Sequence, residues 1–151
     1  MNTATAQKLN PGMFSSDTCE WSTPQALFDE LNRVFNFTLD PCASPENAKC
    51  RAFYTIEDNG LERDWGGHRV FLNPPYGREI VKWVKKAHDE AYHALTVALL
   101  PARTDTQWWH LYCENRFYVL LKGRVNFSGK GSAPFPSAIV LFADIPREAR
   151  P

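Results

Sequence analysis

The sequence predicts an α/β protein: a mostly parallel sheet with helices on both faces, closed by an antiparallel C-terminal strand. Three observations lead there. Segments with helical and with extended patterning alternate along most of the chain, the order expected of βαβ units. Leu95 to Leu100 is an unbroken apolar run, as a strand covered on both faces requires. The last third then turns to strands, which suits an antiparallel closing strand.

The elements follow in order. Residues 1–17 are polar, with Pro11 and Gly12, and read as a loose tail ahead of one domain over 18–145. Thr23 suits a helix N-cap and Pro24 the first helical position, where a missing N–H costs nothing. Leu27, Leu31 and Val34 then share one helical face, and the helix ends near Asn36. Phe37 to Leu39 reads as a short strand, Pro45 to Cys50 as a short helix, and Arg51 to Ile56 as a strand rich in extended-favouring residues. Asp58-Asn59-Gly60 is a turn. Val70 to Leu72 is a compact strand halted by Pro74 and Pro75. From Arg78 to about His93, Ile80, Val84, Ala87 and Ala91 form a buried stripe, with Lys82, Lys85, Lys86 and Glu90 on the wet face. Pro101 ends the Leu95–Leu100 strand. Thr104 or Asp105 is placed to cap a helix running through Trp108, Leu111 and Tyr112. Trp108 and Trp109, being adjacent, are expected on different faces, one of them in the core. Arg116 to Leu121 is a strand that Val125 to Phe127 extends, 128–136 is a Gly/Pro/Ser loop, and Ser137 to Phe142 is the last strand.

Composition narrows the function. Seventeen Lys plus Arg balance seventeen Asp plus Glu among 151 residues, so binding by bulk positive charge is excluded, though a local basic patch is not. No apolar run approaches the ~20 residues that span a bilayer, and no secretory segment opens the chain. A soluble cytoplasmic protein is expected. The four cysteines form no C-x-x-C pair and sit at no finger-like spacing, so free thiols and no metal are expected.

In sheets of this kind, ligands bind beyond the carboxyl ends of the strands. Three exits carry unusual residues: Asp40-Pro41-Cys42-Ala43, Asn73-Pro74-Pro75-Tyr76-Gly77 and Pro101-Ala102-Arg103-Thr104-Asp105. The second is the sharpest. Two prolines fix two φ angles and remove two donors, leaving carbonyl oxygens. The Asn73 amide oxygen and the Pro74 carbonyl then form an acceptor pair suited to an NH2 group, and Tyr76 adds a flat face for a planar ring.

That tetrapeptide resembles the catalytic motif of S-adenosylmethionine-dependent amino-methyltransferases. Together with Trp21-Ser22-Thr23-Pro24, Leu39 to Ala43, Leu99 to Thr106 and Ala133 to Ser137, it resembles the small phage-type DNA adenine methyltransferase (Dam) family over residues 17–143. The resemblance implies a Rossmann-like methyltransferase fold and transfer of a methyl group from S-adenosylmethionine to adenine N6 in DNA, with a phage or prophage origin. It makes Asn73, Pro74, Pro75 and Tyr76 catalytic, the base being flipped out of the duplex to stack on Tyr76. It places Trp21, Thr23, Pro24, Asp40, Pro41, Cys42, Ala43, Thr55, Asp58 and Asn73 around the cofactor, with Thr23 and Pro24 at its methionine end. The Gly-rich turn common after the first strand is replaced here by Pro41-Cys42-Ala43. For Asp58, an adenine-amino acceptor and a plain turn-former are equally open readings.

DNA at zero net charge calls for local cations. Arg124 and Lys130, beside Phe127 and Phe135, and Arg103 at a strand exit are the candidates, whereas the Lys82 group reads as a solvated helix face. Larger relatives carry a separate target-recognition domain, which is not expected here. Two alternatives compete: the same chemistry on RNA or a protein glutamine, and a non-catalytic nucleic-acid-binding module.

Overall fold

A computed structural model of the chain describes residues 21–127 and 131–144. The expected tail, Cys19 and Lys130 lie outside these residues. Six strands form one sheet in the order β2-β1-β3-β4-β6-β5: β1 Leu39–Asp40, β2 Ala52–Phe53, β3 Arg69–Leu72, β4 Leu95–Pro101, β5 Phe117–Leu120 and β6 Ser137–Phe142. The β2–β1, β1–β3 and β3–β4 pairs are parallel. β6 runs antiparallel to both β4 and β5, so it alone points the other way among the described strands. The mixed α/β architecture and the antiparallel closing strand are those expected.

Helices cover both faces. Along β3 the side chains alternate. Val70 and Leu72 join Ile80, Trp83, Val84 and Ala87 of α2 (Ile80–Asp89) in the main core. Phe71 points the other way and meets Phe28 of α1 (Gln25–Phe35) edge-on at 5.1 Å. The second face is completed by Leu99, Phe127 and Ala133, packed with Trp21, Leu27, Tyr76 and Phe135.

Several local expectations change. α1 starts at Gln25 with Pro24 as its cap residue and no side-chain cap. The Thr23 hydroxyl is used elsewhere. The buried anchor of α1 is Phe28, while Val34 is 72% exposed, because edge contact with Phe71 turns the helix away from the Leu27–Leu31–Val34 stripe. The helix does end at Asn36, in the left-handed region (φ 49°) that Asn tolerates. Residues 45–50 form turns rather than a helix. Ala48 makes a single helix-like bond to the Ser44 carbonyl, but the next N–H, that of Lys49, is drawn to the Asp40 carboxylate, so the turn does not propagate. β2 is confined to two residues for a related reason, since Tyr54 turns its backbone to β1 and the exit loop.

Beyond β4, the capping hydroxyl is that of Thr106, not Thr104 or Asp105. It accepts from the Trp109 N–H at 3.4 Å and donates to the Arg103 carbonyl at 2.7 Å. The turn that follows, Trp109–Cys113, is a wide π-helical one, closed by the Glu114 N–H on the Trp109 carbonyl. Trp108 and Trp109 are consequently both buried in the same core, 6.0 Å apart. Val125–Phe127 does not extend β5. Asn126 instead bridges to Ser132, and Phe127 turns inward. No helix among the described residues is long and apolar enough to cross a membrane.

Candidate active site

The chain leaves β1 for β2 on one side and returns to β3 on the other. That reversal is a topological switch point, the place where ligands generally bind in sheets of this kind. β1, β3 and β4 are parallel, so Asp40, the last residue of β1, and Asn73 and Arg103, which follow β3 and β4, stand on one edge of the sheet.

Asn73 stands just past the ladder, whose last β3–β4 pair is Leu72 with Ala98. Its amide nitrogen donates to the Trp21 carbonyl at 2.7 Å and to the Thr23 hydroxyl at 3.0 Å. The amide oxygen is buried and has no hydrogen-bond partner. Reversing the amide would set two carbonyl oxygens against each other, so the nitrogen must face Trp21. An unpaired buried acceptor typically costs about 1–3 kcal/mol, a penalty an incoming donor removes. Pro74, also beyond the ladder, is buried and keeps its carbonyl out of the sheet pairing.

Tyr76 donates its hydroxyl to the Leu99 carbonyl at 3.1 Å, and burial raises its pKa, so it is a neutral donor. Its ring meets Phe135 (5.3 Å) and Phe127 (6.1 Å) edge-on. Trp21 meets the same two rings at 5.2 and 5.3 Å. Trp21, Tyr76, Phe127 and Phe135 thus make one aromatic wall beside Asn73. Phe135, expected at a DNA surface, is built into that wall.

The β1 exit is organised by Asp40. This carboxylate is 4% exposed and accepts from the Lys49 N–H at 3.0 Å and the Cys42 N–H at 3.4 Å. Burial outweighs those bonds and pushes its pKa up to about 6. Pro41 is buried, and the Ala43 N–H donates to the Tyr54 carbonyl, which ties the exit to residues 54–55. Next to them, Asp58 Oδ2 accepts from the Thr55 N–H (2.8 Å) and hydroxyl (3.0 Å), bonds that hold its pKa below the usual value. Asp58 thus closes the turn that begins at Thr55. Lys49 reaches Gln25 at the start of α1 (2.9 Å), so the Trp21–Gln25 segment borders both the Asp40 loop and Asn73. Trp21, Thr23, Pro24, the Asp40–Ala43 exit, Thr55, Asp58 and Asn73 are in this way linked through one continuous set of contacts.

The basic candidates separate. Arg103 and Arg124 are exposed. Lys82 and Lys85 pair with Glu79 and Asp89, as a solvated helix face does, whereas Lys86 and Glu90, expected on that wet face, form a part-buried pair with Lys86 over the Trp65 ring. Arg116 is taken up internally, on the Ala143 carbonyl, His88 and the Phe142 ring. Cys50 and Cys113 are free thiols, and burial pushes both up to about 12, which leaves them protonated and poor nucleophiles. No group of three metal-ligating side chains occurs among the described residues.

Sequence reasoning missed three features. The bonds from Asn73 to Trp21 and Thr23 join residues about fifty positions apart and leave no local signature. Phe127 and Phe135 as the wall behind Tyr76 were equally hidden. Gly60 is the third. A Cβ there would collide with the Pro41 carbonyl oxygen, so the turn lies directly on the β1 exit, and only the Asp-Asn-Gly string hinted at it.

The structure thus presents an α/β sheet with a buried, unpaired amide oxygen and an aromatic wall beyond the carboxyl ends of its strands. The family follows from comparison. Residues 13–141 match the family described as DNA N-6-adenine-methyltransferase (Dam), and the chain belongs to it. It is 42% identical over 92 residues to a DNA N-6-adenine-methyltransferase of Escherichia phage T1, covering 59% of this chain and 38% of that protein. It is 34% identical over 103 residues to a DNA N-6-adenine-methyltransferase of Haemophilus phage HP1, covering 66% of this chain and 60% of that protein. The matched segment is thus under two thirds of the length of either relative.

Proposed function

We propose that this chain is a DNA adenine-N6 methyltransferase using S-adenosylmethionine, on a Rossmann-like fold. One observation carries the reading: the Asn73 amide has both nitrogen hydrogens engaged and its oxygen buried, unpaired and orientationally fixed. The adenine amine is a poor nucleophile, because its lone pair is conjugated into the ring. Two hydrogen bonds from that amine, to Asn73 Oδ1 and the Pro74 carbonyl, draw positive character onto the N–H bonds as nitrogen rehybridises. This is stabilisation made where charge develops. Asn cannot ionise, so the departing proton goes to solvent rather than to Asn73. Because Oδ1 is buried, a base reaches it only as what covers it gives way, and Tyr76 offers the incoming ring its face.

The Asp40–Ala43 exit, Thr55, Asp58, Pro24 and the backbone next to it are the groups that would hold S-adenosylmethionine. The buried Asp40 carboxylate, raised to about pKa 6 by desolvation, fits an ammonium-bearing ligand, which would offset that cost. When bound, the cofactor supplies an electrophilic methyl group on a sulfonium.

The test is incubation of the purified protein with methyl-labelled cofactor and DNA, followed by nucleoside analysis. N6-methyladenine is the expected product. Label on protein or RNA with none on DNA would move the assignment to another amine or amide. DNA retention without any transfer would leave only a binding module. Asn73→Ala should keep cofactor affinity and lower turnover on the order of a hundredfold or more.

A further inference from the structure

We infer that Thr23 and the backbone of Trp21 are positioning groups for catalysis, a clamp that fixes the Asn73 amide with its oxygen outward. The inference rests on the proposed transfer to an amine. It gives the Thr23 side chain a role distinct from contacting cofactor and from capping α1.

A primary amide has two nitrogen hydrogens. Both have acceptors here: the Trp21 carbonyl at 2.7 Å and the Thr23 hydroxyl at 3.0 Å. With both used, the amide can neither rotate nor flip without leaving a donor unpaired or facing oxygen to oxygen. The Thr23 side chain is itself buried, so no water stands ready to replace it. The Trp21 carbonyl is held in turn by its ring, wedged against Phe127 and Phe135. Those rings also flank Tyr76. One aromatic cluster therefore sets both the wall for a planar ring and the direction of the oxygen that receives its amine. A preoriented acceptor needs no reorganisation when charge develops, whereas a free amide samples the wrong face.

Thr23→Val keeps the shape and removes the acceptor; Thr23→Ser restores it. The Val variant should lose about tenfold in kcat with little change in KM for cofactor, and the Ser variant should recover most of the loss. A rise in cofactor KM at unchanged kcat would instead make Thr23 a cofactor contact and overturn the clamp. So would a Val variant with wild-type kcat while Asn73→Ala is inactive, a result that leaves the methyltransferase reading standing. The clamp also has a readout independent of activity: the Asn73 side-chain NH2 signals in a nitrogen–proton correlation spectrum. Both protons should be protected from solvent exchange in the wild type, with that protection reduced in Thr23→Val and restored in Thr23→Ser. Wild-type NH2 protons exchanging at solvent rates would overturn the clamp, even if the Val variant fails to fold. A wild-type protein that transfers no methyl group while its NH2 protons are protected would sink the activity and spare the clamp.

Discussion

Asp40 illustrates how a single residue ties site chemistry to stability. Folded Asp40 keeps its proton up to about pH 6, whereas the ordinary value is 3.8. Between those values the unfolded chain binds fewer protons than the folded one, so stability falls as pH rises, by about 3 kcal/mol in full. Asp40→Asn cannot ionise and lacks that slope. The stability advantage of wild type over Asp40→Asn should therefore be larger at pH 4 than at pH 7, as read from urea midpoints. A difference constant across that range would refute the buried-carboxylate account. The same residue gives a binding prediction. An ammonium beside Asp40 favours the ionised form, so S-adenosylmethionine should bind more tightly at pH 7 than at pH 5, and Asp40→Asn should lose most of that dependence in calorimetry.

At the scale of elements, the site depends on two loops that lean on each other. Gly60 begins a short 3-10 turn, and its carbonyl accepts from the Trp65 indole at 2.9 Å. An added Cβ would run into the Pro41 carbonyl oxygen and approach the Trp83 ring. Backbone cannot yield as a flexible side chain does, so Gly60→Ala should cost on the order of 2 kcal/mol and displace the Asp40 exit loop. Thermal melting and cofactor titration would register both effects. A variant with wild-type melting temperature would mean that the loops do not bear on each other. How far elements are legible in sequence follows from the same physics. β4 and β6 stand out because continuous apolar runs need no partner to be recognised, and β6 occupies the expected Ser137–Phe142. The Ile80–Ala91 stripe is equally local. β1 and β2 shrink to two residues each because Asp40 and Tyr54 commit their neighbours' backbone to loop contacts, which local propensity does not encode. At the site, the Asn-Pro-Pro-Tyr string announced an acceptor, but not how its amide is oriented, because the partners lie in a different part of the chain.

The whole molecule carries no net charge, so the DNA binding proposed for it must come from where its cations stand. The α2 lysines are neutralised by their own helix, and Arg116 is spent internally. Arg103 and Arg124 are different. Both are exposed, and among the described residues neither has an ion-pair partner. Arg103 follows the carboxyl end of β4. β5 runs parallel to β4, since both oppose β6, so Arg124 lies beyond the same edge. That edge also bears Asn73. A duplex laid along it would set phosphates against Arg103 and Arg124 while a flipped base enters between them. Arg103→Glu and Arg124→Glu should each weaken DNA binding and reduce the slope of log affinity against log salt by about 1 for every phosphate no longer neutralised. Lys82→Glu, on the self-neutralised helix face, should change neither. Fluorescence anisotropy with a labelled duplex across a salt series separates the two surfaces. Equal weakening at Lys82 and at the arginines would mean that DNA is drawn by diffuse charge and that this edge has no special claim on it.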